Sequence, residues 1–374
     1  MKIAIIHEFL TKIGGAEKVL LELHKVYPDA PIFTLLYDRT GTGGRFDNCN
    51  IVTSSLNRYP SAVRRKTKLF LPKLAQSIEQ FDFSEYDVVI SNSNSFAHGI
   101  LTKPATFHIC YCHSPMRYAW DWHHEYMKEN KIGFGIKGLY IRSLLHKIRI
   151  WDKVASDRVD FWIANSKNVS RRIEKYYQKK SIVICPPVSV DEIEPSFNVP
   201  DDYYVIVSRL EPYKKIELAI EAFNQSGRQL VIIGTGSDET RLQNIANKNI
   251  EFLGWQSDKA VHEYMRNAKA LIFSGEEDFG LTPIESMACG RPVVALKRGG
   301  TMETVVEGKT GIFFEEESPE SLNAAIDKLE AKYTDFTPAN CRHQAEIFSS
   351  QNFKKQIVET VENQYKNYHK KYEN

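Results

Sequence analysis

Apolar runs of strand length alternate with segments whose apolar positions recur at helical spacing along nearly the whole chain. Lys2 to Phe9 reads as a buried strand, and Glu17 to Tyr27 carries Val19, Leu20, Leu23 and Val26 at helical spacing. Pro31 to Tyr37, Asn50 to Thr53, Tyr86 to Ser91, Thr106 to Cys112 and Phe161 to Ala164 predict further strands. The long stretch Ile132 to Val159 places Leu139, Ile141, Leu144, Leu145, Ile148 and Trp151 broadly on one helical side, and is expected to cover the first domain. Asn165 and Ser166 are set to cap a helix. A proline-bearing stretch, Cys185 to Asp202, is the best linker. Alternation then restarts at Tyr204 to Val207 and continues through Leu230 to Ile233, Glu251 to Trp255, Ala270 to Phe273, Pro292 to Leu296 and Gly311 to Phe314. A polar helix from about Asn352 closes the chain. Its Phe353, Ile357 and Val361 lie at i, i+4 and i+8 and need a surface, for which the first domain is the expected partner.

The loops between these elements carry the chemistry. Strand, Gly14-Gly15 and helix open a Rossmann-like unit, in which glycines let backbone approach a ligand at a helix N-terminus. A tight strand-to-helix turn explains the pair equally well, because the dinucleotide fingerprint is missing. His113 follows directly on Thr106 to Cys112, at the carboxyl end where α/β sheets bind ligands; a structural role weighs equally there. Early in the second half, Ser208-Arg209-Leu-Glu-Pro-Tyr-Lys214-Lys215 offers cations suited to a diphosphate. Ser274 to Glu285 follows another strand. Thr282 is the expected helix N-cap with Pro283 at the first helical position, so the free N–H groups should point toward Phe279, Gly280 and Leu281 and can hold a phosphate. Glu277 falls in the loop and Glu285 in the first helical turn. Gly234-Thr-Gly236 lacks the third glycine of a dinucleotide site.

Length and charge then narrow the picture. The 374 residues suffice for two core-bearing domains, 1–190 and 191–351, with 352–374 as a helix crossing toward the first. No run of eighteen apolar residues occurs and the N-terminal apolar segment is too short for a signal peptide, so a cytoplasmic location is expected. The six cysteines suit reduced thiols in a core. A net charge of +2 hides an asymmetry: through Val190 there are 28 Lys and Arg against 17 Asp and Glu, giving +11, and the remainder has 21 against 30, giving −9. Arg58, Arg64, Arg65, Lys66, Lys68 and Lys73 fall in one stretch without an acidic residue, interleaved with Tyr59, Val63, Leu69, Phe70 and Leu71. That pattern suits docking on an anionic membrane surface, with a solvated charged face as the equal alternative. No nucleic-acid-binding motif accompanies the charge.

Glu277-Asp-Phe-Gly-Leu-Thr-Pro-Ile-Glu285 resembles the Glu-x7-Glu motif of the retaining, two-Rossmann-domain (GT-B) nucleotide-sugar glycosyltransferases of glycosyltransferase family 4. Ser208-Arg209-Leu with Lys214 is similar to the family's Arg and Lys pair, Gly14-Gly15-Ala-Glu17 to its N-terminal glycine loop, and Gly299-Gly300 with Glu303 to its last turn. The motifs stand in the family's order over residues 1 to about 350. Tyr111-Cys-His113-Ser-Pro-Met-Arg117-Tyr and Gly275 to Gly280 are most similar to bacterial and archaeal mannosyltransferases of O-antigen-type surface-polysaccharide assembly, which use GDP-mannose.

The resemblance implies an α/β GT-B fold whose two parallel sheets face an interdomain cleft. It implies that Arg209 and Lys214 neutralise the donor diphosphate, that Glu285 takes the ribose hydroxyls, and that Glu277 takes those of the transferred sugar. Backbone N–H groups of Gly280, Leu281 and Gly15 would hold phosphate and sugar oxygens, beside Phe279 and Gly14, with His113 near the sugar. The implied acceptor is a lipid-linked saccharide, at the inner face of the cell membrane. No Asp-x-Asp motif occurs, so no metal cofactor is expected, and front-face transfer assisted by the leaving phosphate is the implied mechanism. Asp278 and the Phe273-Ser274-Gly275 turn depart from the commoner family pattern in the loop that selects the sugar. A nucleotide-sugar epimerase of the same architecture and a non-catalytic nucleotide-sugar-binding protein are the alternatives.

Overall fold

Parallel strands covered by helices on both faces have no solvent side, so they form where the sequence is mainly apolar and buried throughout. In the computed structural model, which describes residues 1–133 and 135–372, such stretches form β1 (Ile3–Leu10), β2 (Ile32–Tyr37), β4 (Val88–Ser93), β5 (Phe107–Cys112) and β6 (Phe161–Ala164). Short β3 (Ile51–Thr53) and β7 (Ser181–Val183) complete a parallel sheet of order β3-β2-β1-β4-β5-β6-β7. A second parallel sheet runs β10-β9-β8-β11-β12-β13, from β8 (Tyr204–Val207), β9 (Leu230–Ile233), β10 (Ile250–Gly254), β11 (Leu271–Phe273), β12 (Val293–Leu296) and β13 (Gly311–Phe314). Residue 134, inside the predicted Ile132 to Val159 stretch, and residues 373 and 374 at the chain end lie outside the described residues.

The chain divides into two units, Met1–Cys185 with residues from 353 onward, and Pro186–Asn352. In the first, alternate residues of β1 serve opposite faces. Ile3 and Ile5 pack with Val19, Leu20 and Leu23 of the helix Gly15–Val26, while Ala4 and Ile6 pack with Leu74, Leu145 and Ile148. The last helix, Ser350–Tyr372, buries Phe353, Ile357 and Val361 in the first of these clusters, as their spacing predicts, and the Phe353 ring meets Tyr111 edge-on at 5.8 Å. The predicted linker is packed rather than loose. Val188 N–H donates to the Phe348 carbonyl at 2.9 Å, Arg342 donates to the Ile193 carbonyl at 2.6 Å, and Val188, Val190 and Ile193 are buried. Apolar residues between the prolines give that stretch its own share of the second unit's core.

Each sheet changes winding direction once: between β1 and β4 in the first unit, and between β8 and β11 in the second. Connections leave such a pair toward opposite faces, so the loops at the strands' carboxyl ends part and open a crevice.

Candidate functional site

The loops after β8 and β11 meet at the second reversal point. Between them lies a small pocket lined by Val207, Ser208, Lys214, Phe273, Gly275 and Glu277, among others. Lys214 Nζ donates to Glu277 Oε1, and both side chains are largely covered, at 12 and 26 % exposure. Arg209 donates to the Tyr213 hydroxyl, and the Tyr213 ring centre lies 5.8 Å from Arg209 Cζ and 5.1 Å from Lys214 Nζ. Tyr213, which the sequence motifs did not single out, thus stands between the two predicted cations. Lys215, in the left-handed region at φ 55°, turns the chain from this loop into the helix Ile216–Ser226. A lysine held against a carboxylate at a pocket mouth can exchange that partner for a phosphate, which frees the carboxylate to accept hydroxyl hydrogens.

Helix Leu281–Ala288 starts earlier than the sequence suggests. Its N-cap is Gly280, with φ 85°, and no side chain caps it; Thr282 and Pro283 are its second and third residues, and Glu285 lies just past the first turn. A glycine in that backbone region turns the chain where a threonine would be strained, so the helix begins before Thr282. The buried Phe279 ring, 5.6 Å from that of Phe348, anchors the turn. Behind it, Gly300 N–H donates to the Glu277 carbonyl at 2.9 Å. A Cβ on Gly300 would fall 2.2 Å from Phe279 Cα, and one on Gly299 2.3 Å from the Glu277 carbonyl oxygen. The Gly299-Gly300 pair is therefore the surface on which the Glu277 loop rests. Gly234 and Gly236 serve similarly, since a Cβ on either would strike the carbonyl oxygen of Ser208 or Leu210.

At the reversal point of the first unit, polar groups replace the apolar strand pattern. His7 and Glu8 are buried in the second half of β1, Asn92 and Ser93 end β4, Glu17 lies in the first turn of Gly15–Val26, and His113 follows β5. His7 Nδ1 lies 2.7 Å from the Asn92 carbonyl oxygen and Nε2 3.3 Å from Glu17 Oε1. Glu8 Oε1 accepts from Ser93 Oγ and from the backbone N–H groups of Asn94, Ser95 and Ala97 at 2.6 to 3.1 Å. His113 Nε2 lies 2.7 Å from Asn92 Oδ1.

Burial alone would neutralise all of these groups. For His7 the desolvation is outweighed by the Glu17 hydrogen bond and the Glu8 charge, which raise its pKa to about 9. For Glu8 and Glu17 burial pushes the pKa up, but charged His7, with backbone N–H groups, holds both below the ordinary value. For His113 the Glu8 and Glu17 charges do not offset burial and the His7 charge, which push it down to about 4. The result is a buried His7 cation between two carboxylates, beside a neutral His113. Gly14 is the N-cap of the adjoining helix in ordinary extended backbone, and a Cβ there would come within 3.0 Å of Glu17 Oε2, so its missing side chain makes room for that carboxylate. Gly15 is the first helical residue. His7, Glu8 and Asn92 were not picked out by motif, although His-Glu inside an apolar strand and the polar run Ser91 to Ser95 mark them.

The basic stretch is partly consumed by the fold. Arg64 donates to the Tyr37 carbonyl and to Asn57 Oδ1, and Arg65 is paired with the buried Asp38. Arg58, Lys66, Lys68 and Lys73 remain exposed, together with Tyr59 and Leu69. Helix Ile136–Ala155 leaves Ile136, Leu139 and Tyr140 exposed at i, i+3 and i+4, at 90, 57 and 58 %. Among the described residues no helix is long and apolar enough to cross a membrane.

Two Rossmann-like units with parallel sheets, and loop sites at their reversal points, define the α/β GT-B class. Residues 13–192 match the family described as Glycosyltransferase Family 4, and residues 188–347 match Glycosyl transferases group 1, so both units match glycosyltransferase family models. It is similar to an uncharacterized glycosyltransferase of Methanocaldococcus jannaschii, 30 % identical over 189 residues, 49 % of this chain and 53 % of the relative. The chain therefore spans about half the length of that curated relative. An α-1,3/1,6-mannosyltransferase of Schizosaccharomyces pombe is 24 % identical over 372 residues, covering 83 % of this chain and 70 % of that protein. Among solved structures, Anabaena HepE in complex with UDP-glucose matches with a TM-score of 0.69 at 20 % identity, covering 97 % of this chain and 100 % of that one.

Proposed function

We propose that the protein is a retaining hexosyltransferase that moves mannose from GDP-mannose to a lipid-linked saccharide acceptor in cell-surface glycan synthesis. The carrying observation is the Lys214–Glu277 pair in the pocket at the ends of β8 and β11. Donor binding exchanges that ion pair for two productive contacts, Lys214 to the diphosphate and Glu277 to sugar hydroxyls. Arg209 adds a second cation, Glu285 accepts from the ribose, and the N–H groups of Gly280 and Leu281 meet phosphate oxygens, with Gly15 and His113 serving the sugar from the first unit. As the bond from the sugar's anomeric carbon to the phosphate oxygen breaks, negative charge grows on the leaving nucleoside diphosphate. Fixed cations lower the barrier most at that point, so the proposal assigns protein groups, and no metal, to this task. The acceptor hydroxyl bonds to the anomeric carbon on the same face and passes its proton to the departing phosphate oxygen.

Similarity to the fission-yeast mannosyltransferase supports mannose. The UDP-glucose bound by HepE makes that donor the second to test. The exposed Ile136, Leu139 and Tyr140 stripe, with Lys137 beside it and Lys66, Lys68 and Lys73 exposed elsewhere in the same unit, supports peripheral binding at the inner membrane face. Incubation of the protein with each donor, with and without a lipid-linked saccharide and with EDTA throughout, tests the reading. Acceptor-dependent release of nucleoside diphosphate with a retained anomeric configuration is expected. An epimer formed from donor alone, or binding without turnover on any acceptor, would overturn it.

A further inference from the structure

The polar cluster at the reversal point of the first sheet contains a chain of contacts that fixes a proton. Asn92 Nδ2 donates to the Ala16 carbonyl at 3.0 Å. Nδ2 also lies 3.2 Å from His7 Nδ1, whose proton is already taken by the Asn92 carbonyl oxygen at 2.7 Å; a flipped amide would set its oxygen against the Ala16 carbonyl, which leaves Oδ1 facing His113 Nε2, 2.7 Å away. An amide oxygen only accepts, so the proton of a neutral His113 sits on Nε2 and the lone pair on Nδ1. Neutrality follows from burial, at 8 % exposure, and from charged His7, which together outweigh the opposing Glu8 and Glu17 charges. Asn92 is itself held. Its carbonyl oxygen accepts from His7 Nδ1, and the other His7 nitrogen is tied to Glu17, in the same first helical turn that supplies the Ala16 carbonyl. The His113 backbone N–H donates to the Ser93 carbonyl at 2.8 Å, and the Tyr111 ring packs edge-on against the imidazole at 5.2 Å, so the ring has little freedom to turn.

We propose that Asn92, clamped by the His7–Glu17 pair, is a positioning residue that holds His113 in the Nε2–H tautomer, so that His113 Nδ1 accepts a hydrogen bond from a hydroxyl of the bound sugar. The inference rests on the glycosyltransferase reading for the identity of that hydroxyl, but the tautomer does not depend on it. A neutral acceptor at this place favours a hydroxyl over an anionic oxygen, which an imidazolium or an Nδ1–H tautomer would attract instead. Asn92 is therefore an element of substrate selection as well as of packing.

The test combines histidine 15N NMR of the full chain with kinetics. In the wild-type protein without ligand, the His113 signals, assigned by their loss in His113→Gln, are expected to show protonated Nε2 and unprotonated Nδ1 from pH 6 to pH 8. Asn92→Ala should mix the tautomers and lower kcat/KM for the donor about tenfold, with a raised donor KM. Asn92→Asp should raise the pH at which His113 protonates, giving an enzyme that is poorly active near neutrality and recovers as pH rises; a merely structural role would not produce that profile. A wild-type His113 protonated at Nδ1, or variants that alter the tautomer while keeping full kcat/KM, would overturn the inference, and the first of these needs no variant to fold. Absence of any nucleotide-sugar turnover by a wild-type protein with the expected tautomer would instead overturn the glycosyltransferase reading, and the hydroxyl-acceptor role with it.

Discussion

At Gly300 an added methyl group would meet Phe279 Cα at 2.2 Å and the carbonyl oxygens of Asp278 and Phe279 at 2.6 Å. These are backbone atoms of the loop that carries Glu277, so relief requires the loop to move. Gly300→Ala is expected to lower transfer about a hundredfold through misplacement of Glu277, measured by steady-state kinetics alongside circular dichroism that reports an intact fold. The buried histidines set a stability profile whose sign can be worked out. His113 and His108 bind protons less readily folded than unfolded, because burial lowers them to about 4 and about 3 against an ordinary 6.5. The unfolded chain therefore takes up protons first, and stability should fall as pH drops from about 6.5 toward 4, by up to ~1.4 kcal/mol per pH unit for each histidine. His7 acts oppositely. Its pKa of about 9 lies above the unfolded value, so its contribution is fully present below pH 6.5 and lost as pH rises through about 9. Urea midpoints should accordingly peak near pH 6.5, and a flat profile from pH 4 to 9 would contradict the charge assignment. Of these residues, Gly300 and His113 were legible by position and motif. Asn92 was not, because its role depends on three groups distant in sequence that only the sheet brings together.

At the level of elements, the last helix is the clearest case of pattern predicting place. Phe353, Ile357 and Val361 recur every four residues, and all three are buried against the first unit's core. Phe353→Ala removes a fully buried ring packed on Tyr111 and should cost about 3–5 kcal/mol, read as a lowered denaturation midpoint; a loss below ~1 kcal/mol would mean that the helix end is not part of that core. Strand existence was legible wherever four or more apolar residues ran together. β7 was not, since Ser181–Val183 is a three-residue edge strand with Ile182 40 % exposed, and no burial pattern announces it. The start of Leu281–Ala288 was misplaced for a different reason. Capping preference favoured Thr282, but the positive φ at Gly280 took precedence, a conformational choice that composition alone does not reveal.

For the whole molecule, the contrast between a +11 half and a −9 half was visible in composition, whereas the internal use of Arg64 and Arg65 was not. The charge left at the surface of the first unit, with the exposed Ile136, Leu139 and Tyr140 stripe, should bind vesicles of phosphatidylglycerol in sedimentation assays and release them as salt rises. Equal binding to neutral vesicles would remove the membrane from the account. The loops after β8 and β11 are proposed to bind a nucleotide sugar through Lys214 and Glu277. The decisive experiment is calorimetric titration of the wild type and of Lys214→Ala with a panel of purine and pyrimidine nucleotide sugars. One donor is expected to bind the wild type, with its affinity lowered about a hundredfold in Lys214→Ala. Equal affinity in the two proteins would contradict it.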